Sequence, residues 1–250
     1  MGSEIISNIK DNRFTAGPAR FRILQGKDTQ RTTTDDEIVI LKCPEFLRKY
    51  DNILNSLPNN NVVEIGIAEG GSLIYFALAF PHLTFTGIDL RSPNEKVTDH
   101  IKKLGLSDRI KLHYRIDQAD KRKVRETIAE DFKGAKIGAI IEDACHWYEQ
   151  SRKTFEATFE LLETDGVYCL EDWSWAHEAG RTQNGGMWWD KPSLSNLLFE
   201  IIMLQPSTSD LVRNIRVDQN VAVIERGTMP VKNLCLDDLI INRGKKLQLI

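Results

Sequence analysis

Residues 136–173 read KIGAIIEDACHWYEQSRKTFEATFELLETDGVYCLEDW, two short apolar runs separated by a helical pattern. The first run, 137–141, ends in Glu142-Asp143, with His146 three residues beyond the aspartate. Phe155, Phe159 and Leu162 then recur at i, i+4 and i+7, the spacing of a helix that packs on a core. Asp165-Gly166 turns the chain into the second run, 167–170, which ends in Glu171-Asp172. A strand, a helix and a strand in so short a length make a βαβ unit, whose strands are parallel. Both acid pairs are therefore expected at carboxyl ends of strands on one sheet edge, where open α/β sheets bind ligands. Up to four carboxylates converging there repel one another unless a cation lies between them. Mg²⁺ suits a site with few carboxylates and several waters.

Upstream, residues 61–72 read NVVEIGIAEGGS. An apolar strand at 62–65 runs into a turn containing Gly66, Gly70 and Gly71, and a helix continues over 72–80. Glycines at such a turn let the backbone bend sharply and approach a ligand. No Gly-Lys-Ser/Thr follows, which excludes a P-loop, and Gly66-x-x-x-Gly70 misses the dinucleotide spacing. Glu64 and Glu69 would repel a pyrophosphate and suit a cationic or hydroxyl-rich ligand. The next strand, 83–89, ends in Asp89, about 20 residues past the glycines, where an acid commonly accepts from ribose hydroxyls. A helix over 94–104 and a third strand over 109–116 lead to Asp117-Gln118-Ala119-Asp120 at the same edge. These groups could read an adenine edge or simply cap the charged helix that follows.

The remaining pattern sets boundaries. Residues 1–45 are polar and irregular and read as a surface extension or cap. Residues 46–226 form the α/β domain, opening on a helix over 44–57 with Pro44 in its first turn. Trp173, Trp175, Trp188 and Trp189 follow the second acid pair, enough aromatic surface to stack on a sugar or planar substrate. A helix over 193–204 and a strand pair at 211–215 and 220–224 close the domain. The tail, 227–250, reads as a segment that docks onto a neighbour, and a homo-oligomer is expected. With 250 residues, 41% hydrophobic and 28% charged, the chain suits one large globular domain. A net charge of −3 gives no electrostatic reason to expect nucleic acid. No apolar run reaches the ~18 residues of a membrane span, and no secretion signal is read, so a cytoplasmic location is expected. The four cysteines include no C-x-x-C pair, so neither zinc nor a disulfide framework is indicated.

Taken in order, Glu64-Ile65-Gly66 with Gly70-Gly71-Ser72, Gly87-Ile88-Asp89, Asp117-Gln118, Glu142-Asp143 with His146, and Glu171-Asp172-Trp173 resemble a class I S-adenosylmethionine-dependent methyltransferase. More narrowly they resemble the cephalosporin hydroxylase family, which includes metal-dependent macrolide-sugar and rhamnosyl O-methyltransferases. The resemblance spans residues 60–225 and implies a Rossmann-like fold, a mostly parallel seven-stranded sheet with helices on both faces. It implies Glu64, Gly66, Glu69, Gly70 and Ser72 around the methionine part of the cofactor, Asp89 on the ribose, and Asp117 and Gln118 by the adenine. It also implies Asp143, Glu171 and Asp172 as Mg²⁺ ligands and His146 as general base, acting with Asp143 on a hydroxyl of a sugar or polyhydroxylated small molecule. The family often carries Asp-Asp-Gly-Ser-His where this chain has Glu142-Asp143-Ala144-Cys145-His146, so a different turn shape is expected there. An imidazole, with an ordinary pKa of about 6.5, is suited to take such a proton near neutrality. Cys145 beside it does not make a Cys-His nucleophile, because adjacent extended side chains point apart. Two other readings remain at this stage, a hydroxylase or oxidoreductase component on the same fold and a silent cofactor-binding scaffold.

Overall fold

The structure is a computed structural model that describes residues 9–24, 31–179 and 189–250. Seven strands form the main sheet: β4 (Asn61–Ile65), β5 (Thr84–Ile88), β6 (Ile110–His113), β7 (Ile137–Glu142), β8 (Leu162–Glu171), β9 (Val212–Val217) and β10 (Val221–Arg226). Their spatial order is β6-β5-β4-β7-β8-β10-β9, parallel from β6 to β8, with β10 antiparallel to both β8 and β9. The order reverses between β4 and β7, and the crevice beyond their carboxyl ends is the topological switch point at which such sheets take ligands. The expected sheet is therefore present. Its third strand is shorter than the alternation at 109–116 suggested, because Arg115 adopts a left-handed φ of 59°.

Helices cover both faces. α1 (Pro44–Asn55) and α2 (Gly71–Ala79) lie on one face. α3 (Glu95–Lys103) borders that same cluster through Val97 and Ile101. α4 (Lys121–Phe132), α5 (Tyr148–Thr158), α6 (Ser195–Ser207) and the short α7 (Leu236–Leu239) pack on the other. Asn94 caps α3 by accepting from Lys96 N at 3.0 Å, and Asp120 caps α4 by accepting from Lys123 N at 3.0 Å.

The N-terminal residues, read as an extension or cap, contain regular structure that packs on the domain. β1 (Arg13–Ala16), β2 (Ala19–Ile23) and β3 (Ile38–Ile40) form a separate three-stranded sheet. The cause lies in α2, whose LIYFALA is apolar on every side and needs cover on the side away from the main sheet. Phe14 and Phe21 stack at 4.9 Å and meet Tyr75 of α2 edge-on, and every residue of the helix except Leu78 is buried. The tail likewise folds on its own chain: Leu236 is fully buried, and Ile250 O accepts from Ser193 N at 2.7 Å. Among the described residues no helix is long and apolar enough to cross a membrane.

Candidate active site

Strand alternation sorts the acids. Successive side chains on a strand point to opposite faces. With Ile65 opposite Glu142 and Glu142 opposite Leu170, Glu64, Asp143 and Glu171 share the face covered by α1 and α2. Glu142 goes to the other face, where Gln118 Nε2 donates to its Oε1 at 3.1 Å. Asp172 leaves the strand with a left-handed φ of 55° and comes back toward His146. Of the four carboxylates of the two pairs, the pleat turns Glu142 away, while Asp143 lies between Glu171, which it meets through Lys42, and Asp172.

On the first face sits a residue that the sequence did not single out. Lys42, between β3 and α1, is 5% exposed. Its Nζ lies 2.5 Å from Asp143 Oδ2, 2.7 Å from Glu171 Oε1 and 3.2 Å from Glu64 Oε1. Tyr50 of α1 donates to the same Glu171 Oε1 at 2.5 Å. Burial alone would drive the ammonium to lose its proton, but Asp143, Glu171 and Glu64 outweigh that and hold its pKa well above the usual lysine value. Burial pushes the Glu64 carboxyl up against the pull of Lys42 and Ser72. Burial and the Asp143 charge push Glu171 up in the same way. Among the described residues one ammonium faces these three carboxyl groups.

At the outer edge of this cluster Asp143, His146 and Asp172 each offer an atom within 4.8 Å of the others. His146 Nε2 lies 3.8 Å from Asp143 Oδ1 and 3.9 Å from Asp172 Oδ2, with the ring centroid 4.5 Å from that of Trp175. His146 has φ 56°, so two of the three residues are held in a conformation costly for non-glycine residues. These three fit a divalent cation in donor type and spacing. Glu171, expected as a ligand, instead faces Lys42 and Tyr50.

Beside this corner a cavity of about 370 Å³ opens over the carboxyl ends of β4, β5 and β7, within the about 300–1,000 Å³ usual for small-molecule sites. Gly66, Asp89, Asp117, Gln118 and Asp143 line it, with Ile88, Ile116 and Trp147 as apolar walls. Its charged lining is three aspartates against Arg91, which favours a cationic ligand over a pyrophosphate. Asp89, expected on the ribose, lines the cavity and also braces the turn, accepting from Ile67 N and Ala68 N at 2.9 and 2.8 Å through Oδ2. Gly66, at φ 88°, lies so close to the Asp143 strand end that a Cβ would fall 2.1 Å from Asp143 O.

The other expected cofactor residues are placed less directly. Gly70 is the left-handed N-cap of α2, and Ser72 donates to Glu64 Oε2 at 2.7 Å. Glu64 is fully buried and does not line the cavity; Glu69 accepts from Thr33 N and Asn94 Nδ2 at 2.9 and 3.0 Å. Gln118, besides holding Glu142, accepts from Cys145 N at 3.2 Å and so braces the turn that carries His146. A small recess next to His146 and Asp172 is walled by Trp173, Trp175, Lys191 and Ser193. Trp189 is 59% exposed, and Trp188 lies outside the described residues.

Glu142 carries a pH prediction. Burial pushes its carboxyl from an ordinary 4.5 up to about 7. Between those values the unfolded chain gives up a proton that the folded chain keeps, so stability falls as pH rises through that window. Glu142→Gln, which can still accept from Gln118, should remove the effect. Its stability should gain on that of the native protein from pH 4.5 to 7, reaching a difference on the order of 2–3 kcal/mol, read from thermal melts across that range. Parallel melting curves across that range would place the Glu142 proton elsewhere.

Comparison with known proteins supports the fold. Residues 63–173 match the family model described as a methyltransferase domain. The MycE methyltransferase from the mycinamycin biosynthetic pathway, solved with Mg and SAH, is 25% identical. The match covers 73% of this chain and 49% of MycE, at a TM-score of 0.54, so the chain spans about half the length of that relative. The same enzyme solved with Mg, SAH and mycinamycin VI matches at 24% identity, 73% and 48% coverage and a TM-score of 0.54. The O-methyltransferase TomG from Streptomyces achromogenes, involved in tomaymycin synthesis and solved with SAM, is 16% identical, covers 76% of this chain and 82% of its own, and has a TM-score of 0.53. Among curated proteins no match was found.

Proposed function

We propose that this chain, which carries a methyltransferase domain on the class I fold, is a divalent-cation-dependent O-methyltransferase acting on a hydroxyl of a glycosylated or polyhydroxylated small molecule. The observation that carries the reading is the adjacency of the acid-lined cavity and the Asp143, His146, Asp172 corner, with Asp143 common to both.

S-adenosylmethionine bound in the cavity would supply a sulfonium methyl; its transfer breaks a C–S bond, forms an O–C bond and leaves the thioether. Asp143 and Asp172 would hold a Mg²⁺ ion, whose chemistry there would be to lower the pKa of an acceptor hydroxyl. The chain's own residues do the rest. Mg²⁺ prefers oxygen ligands, which leaves the His146 imidazole to take the acceptor proton at Nε2. Asp143 and Asp172, on either side of that nitrogen, stabilise the imidazolium so formed. Trp175 packs on the ring and fixes its direction, and with Trp173 keeps water from the recess. Asp89 holds the glycine turn in the shape that admits the cofactor.

Treatment with a chelator should abolish labelled-methyl transfer from S-adenosylmethionine to a panel of glycosides with neighbouring hydroxyls, and added Mg²⁺ should restore it. Full transfer by protein shown to be metal-free by elemental analysis would exclude the cation from the reaction.

A further inference from the structure

An ammonium has three protons to donate, and the Lys42 Nζ is surrounded by three carboxylates on three neighbouring strands, β4, β7 and β8. The arrangement is built rather than incidental. Strand alternation brings Glu64, Asp143 and Glu171 to one face, the N-terminal sheet delivers Lys42 to their centre, and Tyr50 fixes Glu171 from α1. The lysine is buried with Glu64 and Glu171, while Asp143 stays partly exposed at the edge of the cluster. It takes Asp143 Oδ2, while Asp143 Oδ1 faces His146.

We propose that Lys42 is a built-in cation that occupies Glu64 and Glu171, confines a divalent ion to the Asp143 Oδ1 and Asp172 side, and positions Asp143 between the two charges. Glu171 is then not a metal ligand while Lys42 is in place. Removing the ammonium would leave Glu64, Asp143 and Glu171 uncompensated, and carboxylates in that state recruit divalent cations, whose affinity follows the charge count of the ligand set. The inference rests on the metal reading given above, and the two can be separated.

The probe is Mn²⁺, followed by calorimetry and by the electron paramagnetic resonance of the free ion, on the full chain. The native protein should bind one ion at the Asp143 and Asp172 side. Glu171→Gln should leave that affinity within about twofold, because Glu171 is not a ligand. Lys42→Met should bind Mn²⁺ about tenfold or more tightly, or take a second ion, and Lys42→Met with Glu171→Gln should lose that gain. Lys42→Met should also melt low in chelator and recover with Mn²⁺, a rescue that a packing defect would not show. Equal or weaker binding by Lys42→Met would overturn the inference. If that variant does not fold, Glu171→Gln decides alone: a loss of about tenfold or more in Mn²⁺ affinity makes Glu171 a ligand and overturns it. Binding by Lys42→Met but not by the native protein would support the built-in cation and overturn the metal reading of the native enzyme. Binding by neither would overturn both.

Discussion

In a Gly66→Ala variant, S-adenosylmethionine affinity and methyl transfer should both fall by about 10²-fold or more, and the fold should lose about 3 kcal/mol. The added Cβ meets Asp143 O at 2.1 Å and Ala144 Cα at 2.5 Å, contacts with backbone that no rotamer change relieves. Gly66 also has φ 88°, which alanine adopts only at a cost. The two strains act together on one point. Relief requires the end of β4 to part from the end of β7, yet Asp143 N donates to Ile65 O at 2.8 Å across that seam. Moving the seam displaces the cofactor turn on one side and Asp143, with the turn to His146, on the other. Calorimetry with S-adenosylmethionine and thermal melting of the same preparation check this. Native affinity together with native stability would mean that the cofactor does not sit over this turn.

His146→Ala should cut kcat by about 10²- to 10⁴-fold while leaving S-adenosylmethionine affinity nearly unchanged. The division follows from position. His146 is 9% exposed, lies outside the lining of the cavity of about 370 Å³ and lines the Trp175 recess, which in the proposed mechanism sets it against the acceptor and not the cofactor. Its left-handed φ indicates that the surrounding turn holds it in place against local preference. Gln118, which accepts from Cys145 N, and Asp143, whose N is tied to β4, fix the turn at both ends. Alanine at this φ is strained as well, so folding should be compared at the same time. Wild-type turnover in the variant would make His146 a packing partner of Trp175 and send the proton elsewhere.

How much of this was readable in the sequence differs from residue to residue. Apolar runs ending in acids located the strand ends, and the glycine turn located the switch point, because both signals are local. The division of Glu142 from Asp143 was also available, since neighbours on a strand face opposite ways, whereas the sequence reading allowed up to four carboxylates to converge. The N-terminal hairpin had its own period-two signal: Phe14 and Ala16, then Ala19, Phe21 and Ile23, flank Gly17-Pro18. The all-apolar LIYFALA helix called for that cover. Lys42 had no such signal. A single lysine in a polar stretch looks like any surface lysine, and only the tertiary fold brings it to partners 22, 101 and 129 residues away in sequence. The contacts of Glu171 were hidden for the same reason, since Lys42 and Tyr50 lie 129 and 121 residues away in sequence.

The central claim is that the cavity at the switch point holds S-adenosylmethionine. It is tested most directly by calorimetric titration of the native protein with S-adenosylmethionine and, separately, with NADPH, each with and without Mg²⁺. The acid-lined cavity predicts saturable binding of one S-adenosylmethionine per chain and no binding of NADPH, since three aspartates favour a sulfonium and repel a pyrophosphate. Saturable NADPH binding with no heat from S-adenosylmethionine would contradict the claim and turn the site toward redox chemistry.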